Sequence, residues 1–449
     1  LDFNLSPNNA MKIMKFGGTS VGSPERMHQV KDLITRSTEP TLVVLSALSG
    51  TTNALVGIGE ALAAADKVLA KERIDNLHAH YLQFYPQLLV SPTARTKAED
   101  ILKEHFELLN ILLKISFNEA IQRDIVAQGE LLSTKLFHIL LEEQSIPAVL
   151  LPALDFMSID ENSEPELGKI SEQLTALLDQ YPEQRLFITQ GYICKNHRNE
   201  IDNLKRGGSD YTASLVAAAL QASVCEIWTD IDGMHNNDPR LVDRTRPIAE
   251  LSFDEAAELA YFGAKILHPA SIWPAQLHNV PVRLLNTMDP AAAGTLIKAE
   301  VAEQGVKAIA AKDGITAIKI KSSRMLLAYG FLRRIFEVFE NYKTPIDMIT
   351  TSEVAVSVTI DDLSHLDQIV DELRRFGTVE VDSNQAIICV VGNGVAETKG
   401  VIKSVMDALA DIPVRMVSFG GSKHNVSILV DARYKVQALQ RLNEGVFVW

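Results

Sequence analysis

Met11-Lys12-Ile13-Met14-Lys15-Phe16-Gly17-Gly18-Thr19-Ser20-Val21-Gly22 passes from an apolar alternation into a lysine, two adjacent glycines and two hydroxyls, where a strand gives way to a helix. Glycines let backbone N–H groups approach an anion closely, and the helix that follows adds its positive end. The stretch reads as a phosphate cradle or, on local grounds only, as an ordinary turn. It is not a Walker A loop, whose lysine follows its glycines, because Lys15 precedes them.

The same strand-to-turn pattern recurs downstream. Lys12 to Phe16, Thr41 to Ser46, Ala148 to Leu151, Leu186 to Gln190, Cys225 to Thr229 and Val282 to Leu285 are continuous apolar runs, as expected of a sheet covered on both faces. Their alternation with helical stretches from Met11 to about Asn286 predicts an α/β layer fold. Between Thr52 and Gln144 the spacing of Ile101, Leu102, Phe106, Leu109 and Leu113 predicts a helical insert whose apolar stripe serves packing.

Several of the turns carry chemistry. Ser46-Ala47-Leu48-Ser49-Gly50-Thr51-Thr52 opens a helix with hydroxyls that suit simple capping. Lys205-Arg206-Gly207-Gly208-Ser209-Asp210 sets an arginine, a glycine pair, a hydroxyl and a carboxylate ahead of a helix. Arginine holds a carboxylate bidentately, and paired glycines form an anion nest. Trp228-Thr229-Asp230-Ile231-Asp232-Gly233 leaves a strand at the end where α/β sheets hold ligands, although Asp232-Gly233 also suits a plain turn. Glu130, in "AQGELLS", interrupts a run that otherwise reads as core, and its weight depends on its neighbours in space.

Bulk properties narrow the class. A net charge of −14 opposes binding to nucleic acid or an anionic membrane, both of which need a basic surface. Cys194, Cys225 and Cys389 are far apart, so neither a zinc site nor a disulfide framework is indicated and a reducing cytoplasm is the expected compartment. The longest apolar runs fall short of a membrane span. Residues 1–10 lack the basic and apolar regions of a signal peptide, and Met11 reads as the native start.

After residue 299 the elements shorten and a similarity appears. "PIDMITTSEVAVSV" from Pro345 and "PVRMVSFGGSKHNVSI" from Pro413 share a pattern, each with a helix before and after it. This predicts two ferredoxin-like modules in tandem, each strand-helix-strand-strand-helix-strand. Periodicity leaves open whether they sense a ligand or only support the structure.

"KFGGTSVG", "QGELLS", "RGGSDYTA", "WTDIDG", "DPR" and "FGAKILHP", in this order, resemble the successive motifs of the aspartate kinases of the amino-acid kinase superfamily, and the tail resembles their paired ACT modules. The resemblance implies a three-layer kinase domain over 11–298 and a regulatory region over 299–449. It implies transfer of phosphate from ATP, with Mg2+, to the side-chain carboxylate of L-aspartate, the step that opens the route to lysine, threonine, methionine and diaminopimelate. Lys15 would stabilise the transferring phosphoryl group, with the N–H groups of Gly17, Gly18 and Ser20 touching it and Asp210 organising the lysine. Ser46, Thr52, Glu130, Arg206, Gly207, Gly208 and Ser209 would bind aspartate. Thr229, Asp230, His235, Arg240 and Lys265 would hold the nucleotide, and no protein residue is assigned to metal.

The long insert and "IDMITTSEV" are most similar to lysine-inhibited members. By that likeness Met325, Gly330, Phe331, Leu332, Asp347 and Ser352 would form an effector site for lysine rather than threonine, and module pairing would give a homodimer or homotetramer. His235 and Lys205 depart from the family, which commonly has tyrosine and glycine there. Two other readings stand beside this one: a relative acting on glutamate, acetylglutamate, carbamate or a nucleotide, and a non-catalytic amino-acid sensor. An arginine with Glu130 favours an α-amino acid, and an intact Lys15 and Asp210 favour catalysis.

Overall fold

The computed structural model describes residues 11–204, 207–263, 267–322 and 329–447. Two compact units divide them, one gathering the described residues of 1–234 and 267–299, the other those of 235–266 and 300–449. The segment 235–266, inside the kinase range expected from sequence, thus groups with the tail.

In the first unit β1 (Lys12–Phe16) leads into the short helix α1 (Gly18–Val21), α2 (Pro24–Thr35) and β2 (Thr41–Leu45). Four helices follow: α3 (Thr51–Ala63), α4 (Lys67–Leu88), α5 (Pro92–Leu112) and α6 (Glu119–Glu143). Their starts are legible locally. The side chains of Asp66, Ser91 and Asn118 accept N-terminal amides of α4, α5 and α6, which satisfies donors that a helix start leaves open. The insert is not a separate body, because Leu55, Tyr81, Phe106 and Phe137 share one core with Phe16 and Leu45 of the sheet.

Next come β3 (Val149–Leu150), α7 (Leu167–Leu178) and β4 (Leu186–Gln190). The hairpin β5 (Ile193–Lys195) and β6 (Ile201–Asn203) precedes α8 (Gly208–Ala219) and β7 (Val224–Thr229). The chain then gives β8 (Glu250–Ser252) and α9 (Phe253–Tyr261) to the second unit. It returns with α10 (Pro269–Leu277), β9 (Val282–Asn286) and β10 (Thr295–Lys298).

The strand order in this unit is β3-β4-β2-β1-β7-β9-β10, all parallel except β10. Strand β1 is central, with Phe16 facing Leu45 on one side and Trp228 on the other. The carboxyl ends of β1, β2, β4 and β7 therefore open along one edge, the place where such sheets bind ligands.

The second unit continues with β11 (Gly305–Lys321), α11 (Phe331–Asn341), β12 (Ile349–Thr351), β13 (Ala355–Ile360) and α12 (Leu366–Leu373). It ends with β14 (Thr378–Asn393), α13 (Val401–Ala408), β15 (Val414–Phe419), β16 (Asn425–Asp431) and α14 (Lys435–Val446). One antiparallel sheet runs β12-β13-β11-β14-β16-β15.

Both modules are present, but not in tandem. The second half of β11 starts the first module and the first half of β14 completes it. The second half of β14 then starts the second module, whose remaining strand is the first half of β11, residues that precede the first module in sequence. The first copy is thus inserted within the second. Register shifts between Lys312 and Ala317, beside Gly314 at φ +76°, divide the long pair at the boundary of the two halves. Separate cores, one around Ile318, Phe339 and Val358 and the other around Ile388, Ile428 and Leu439, confirm two packing units on the one sheet.

Candidate active site

Lys15 is held where β1 meets its neighbours on both sides, and its Nζ lies 2.6 Å from Oδ1 of Asp210 in the first turn of α8. Both side chains are largely buried. The turn after β2 closes on the same helix, where Ser46 Oγ donates to Ser209 Oγ at 2.9 Å. The opening glycine turn and the second glycine pair, far apart in sequence, therefore meet at one sheet edge.

Close approach explains the glycines. A Cβ at Gly18 would stand 3.1 Å from the Ala47 carbonyl oxygen, and one at Gly22 2.8 Å from Ser49 Cβ. Gly207 has φ +69° and its Cβ would fall 1.6 Å from Ser271 Oγ, so any side chain there collides with α10. Of the three amides assigned to phosphate, that of Ser20 donates to the Gly17 carbonyl at 2.9 Å and that of Gly17 makes a long contact of 3.4 Å to Trp228. The Gly18 N–H has no such partner among the described residues. The Ser20 hydroxyl is buried against Thr287 at 2.8 Å, which ties α1 to the end of β9.

Glu130 is only 3% exposed within α6. Its Oε1 accepts the Ala47 N–H at 3.3 Å, and its Oε2 has no hydrogen-bond partner among the described residues. Burial pushes its carboxyl up to about 7, against the opposing pull of the Ala47 amide. A neighbour in the same motif, Ser133, donates to the Ser46 carbonyl at 2.7 Å and so fixes the turn that carries Ser46. Sequence reading quoted Ser133 but gave it no part, because a mid-helix serine carries no signal of where its hydroxyl points. Thr52 stands in the first turn of α3, half-buried beside this turn.

Tyr192 shapes the backbone beside α8. It holds φ +68°, a costly conformation for an aromatic residue. Its N–H donates to Thr212 Oγ1 at 2.8 Å while its carbonyl accepts from Leu204 N–H at 2.8 Å, tying α8 to the end of the β5–β6 hairpin. Only the structure supplies that signal.

On the nucleotide side, Thr229 ends β7 and its hydroxyl donates to Asp230 Oδ1 at 3.1 Å. His235 and Arg240 belong to the second unit. There His235 Nδ1 lies 3.3 Å from Thr245 Oγ1, and Arg240 grips Asp238 with Nε and a terminal nitrogen at 2.9 and 2.8 Å. Arg206, Lys265 and Met325 lie outside the described residues. No three His, Cys, Asp or Glu side chains among the described residues converge on a metal position.

The assigned effector residues divide. Gly330 at φ +75° precedes α11, Phe331 is buried and Leu332 exposed. Ser352 lines a cavity of about 490 Å³ with Lys319, Lys321 and Thr378, and Asp347 is not part of that lining. Asp347 Oδ1 accepts from Lys312 Nζ at 2.7 Å and from the Tyr261 hydroxyl at 2.8 Å. The three cysteines are free and buried, and no described helix is long and apolar enough to cross a membrane.

A model of the amino acid kinase family matches residues 10–286, and one of the ACT domain matches 388–446. The lysine-sensitive aspartokinase 3 of Escherichia coli (strain K12) is 34% identical over 97% of this chain and 99% of its own. Aspartokinase 2, chloroplastic, of Arabidopsis thaliana is 33% identical over 97% of this chain and 84% of its own. Among solved structures, E. coli aspartokinase III with aspartate and ADP (R-state) matches with a TM-score of 0.81 at 33% identity, covering 98% of this chain and all of that one. The same enzyme with lysine and aspartate (T-state) matches at 0.82 with the same coverage.

Proposed function

This chain belongs to the amino acid kinase family, as an aspartokinase, and from that membership we propose how its residues share the work of phosphorylating L-aspartate. The observation that carries the reading is the meeting of Lys15 with Asp210, and of Ser46 with Ser209, at the carboxyl ends of β1 and β2. One oxygen of the aspartate side-chain carboxylate attacks the γ-phosphorus of ATP. The bond from that phosphorus to the β–γ bridging oxygen breaks, and ADP leaves as 4-phospho-L-aspartate forms. The acceptor is already ionised near neutrality, so no base is required and Asp210 is a positioning residue.

What remains for the protein is to bring two anions together and cancel the charge between them. The Lys15 ammonium has three donors, and with one spent on Asp210 two are left for phosphoryl oxygens. The Gly18 N–H adds a backbone donor, with Gly17 and Ser20 shaping the turn. Arg206, which precedes Gly207-Gly208 in sequence, grips the α-carboxylate of aspartate. Glu130 receives its ammonium on the unpartnered Oε2, while Ser46, Thr52 and Ser209 line the acceptor. Thr229, Asp230, His235, Arg240 and Lys265 hold the nucleotide. Mg2+ would come with ATP and supply neutralisation of the phosphate charge, with no residue of this chain assigned to hold it.

Lysine acts on the tail as feedback effector through Gly330, Phe331, Leu332, Asp347, Ser352 and Met325. The modules pair between copies to give a dimer or tetramer, in the cytoplasm, and the product feeds lysine, threonine, methionine and diaminopimelate synthesis. A coupled assay of ADP release tests the substrate and the lysine together. Turnover requires Mg2+ and L-aspartate, L-glutamate substitutes poorly, and Lys15→Ala cuts kcat by about two to three orders of magnitude with a smaller change in aspartate KM. Equal rates with glutamate would reject the acceptor assignment, and near-normal turnover of the variant would reject the role of the lysine.

A further inference from the structure

Glu130 and Ser209 stand on different helices, α6 and α8, and whatever spaces the two helices sets the room between them. Gln190, the last residue of β4, is 2% exposed. A glutamine buried there must find partners for its amide or lose the hydrogen bonds that water gave it. Its Oε1 accepts the Ala153 N–H at 2.7 Å, and its Nε2 donates to Thr134 Oγ1 at 2.8 Å. A backbone N–H can only donate, so the Ala153 bond fixes which end of the amide faces which partner. The Thr134 hydroxyl gives its own proton to the Glu130 carbonyl at 2.8 Å and is left as an acceptor for Gln190.

These bonds belong to a closed ring. Ser133, one residue before Thr134, donates to the Ser46 carbonyl at 2.7 Å, and Ser46 donates to Ser209 Oγ at 2.9 Å. Ser209 in turn lies against Gly191, the residue after Gln190, where a Cβ would stand 2.3 Å from Ser209 Oγ and 2.9 Å from its Cα. The Gly191 N–H is itself held by the Leu45 carbonyl at 2.9 Å. The path therefore runs from α6 through the turn after β2 to α8, and back to α6 through the end of β4. Ser133, Thr134 and Gln190 are all buried. Three groups assigned to aspartate, Ser46, Ser209 and the unpartnered Oε2 of Glu130, stand on this ring or on the helix turn that it grips.

We propose that Gln190 is a positioning residue which, by closing this ring, fixes the separation of Glu130 from Ser209 and so selects an amino acid with one methylene between its α-carbon and its reacting carboxylate over one with two. Gln190 acts through Thr134 and α6 and not on the reacting atoms. An amino acid held at its ammonium by Glu130 has only its chain length with which to place the carboxylate for attack. Rejecting a longer chain requires walls that do not give way, and a ring of buried hydrogen bonds supplies them where apolar packing alone would yield. The inference rests on the reading that Glu130 receives the ammonium, and the experiment separates the two.

Values of kcat and KM for L-aspartate and L-glutamate, and KM for ATP, are measured on the full chain for wild type, Gln190→Leu, Thr134→Val, Thr134→Ser and Glu130→Gln. Gln190→Leu and Thr134→Val each remove the bond between the two side chains at nearly constant volume. Each raises aspartate KM about fivefold, the size of one buried hydrogen bond, and leaves ATP KM unchanged. Each also narrows the ratio of kcat/KM for aspartate over glutamate about tenfold, the low end of what one methylene is worth. Thr134→Ser, which keeps the hydroxyl, keeps the wild-type values. A residue serving stability alone would change the amount of folded enzyme and leave both aspartate KM and the ratio as in wild type. Thr134→Val carries the test if Gln190→Leu fails to fold. Wild-type ratios in these variants, with aspartate KM raised in Glu130→Gln, would overturn the inference and leave the ammonium assignment standing. A wild-type aspartate KM in Glu130→Gln would overturn that assignment and the inference with it.

Discussion

Glu130 is the residue whose environment most changes its chemistry. Its carboxyl is raised to about 7 because burial disfavours the charge, so the free protein holds a proton there at pH values where an exposed glutamate has none. The folded protein binds that proton more tightly than the unfolded chain. The resulting stability is complete below about 4.5 and is lost as pH rises to about 7. An aspartate ammonium on the open Oε2 reverses the balance, since it pairs only with the ionised form. Aspartate binding at pH 6 therefore expels a proton, and affinity rises with pH until it levels above about 7. Calorimetry in buffers of different ionisation enthalpy reads the released proton directly. Glu130→Gln should release none and flatten the pH dependence, and an unchanged pH profile in that variant would remove Glu130 from the ammonium site.

At the scale of elements, the turn before α8 decides where Asp210 stands. Gly207 and Gly208 both hold positive φ, +69° and +55°, but only Gly207 meets a neighbour at impossible distance. Gly208→Ala should cost about 1 kcal/mol, the strain of a left-handed alanine. Gly207→Ala adds the collision with Ser271 and should cost about 3 kcal/mol or more. Denaturant midpoints at constant m-value rank the two, and equal losses would mean that α10 yields freely. Such turns were legible in sequence because glycine pairs, hydroxyls and apolar runs are local signals, and the runs from Lys12 to Phe16 and Leu186 to Gln190 became the strands β1 and β4 residue for residue. The order of modules in the tail was not legible. The repeated segments are alike in sequence, but a fourth strand can come from either side, and only the pairing of Gly305 with Asn393 shows that it comes from upstream. Lys312 was invisible for a related reason: it stands 35 positions from Asp347, and Tyr261 stands 86 from it, with no motif linking the three.

At the scale of the molecule, the path of the chain bears on regulation. It leaves the first unit after Met234 and returns at Leu267, and the excursion carries His235, Arg240, α9 and, in sequence, Lys265 within the unit that holds Asp347. His235 and Arg240, assigned to the nucleotide, therefore fall in the same compact unit as the described residues assigned to the effector. If lysine acts on ATP affinity, by linkage ATP must act on lysine affinity to the same degree. If lysine raises the dissociation constant of a non-hydrolysable ATP analogue by a given factor, saturating analogue must raise that of lysine equally. Titration calorimetry of lysine with and without the analogue measures one side of the cycle, and analogue binding with and without lysine measures the other. Coupling of about 1 to 3 kcal/mol, a factor of roughly 5 to 150, is the ordinary range for such systems. Lysine affinity indifferent to the analogue, in an enzyme that lysine still inhibits, would mean that inhibition falls on the chemical step. The second unit's excursion would then position the nucleotide without transmitting anything from the effector.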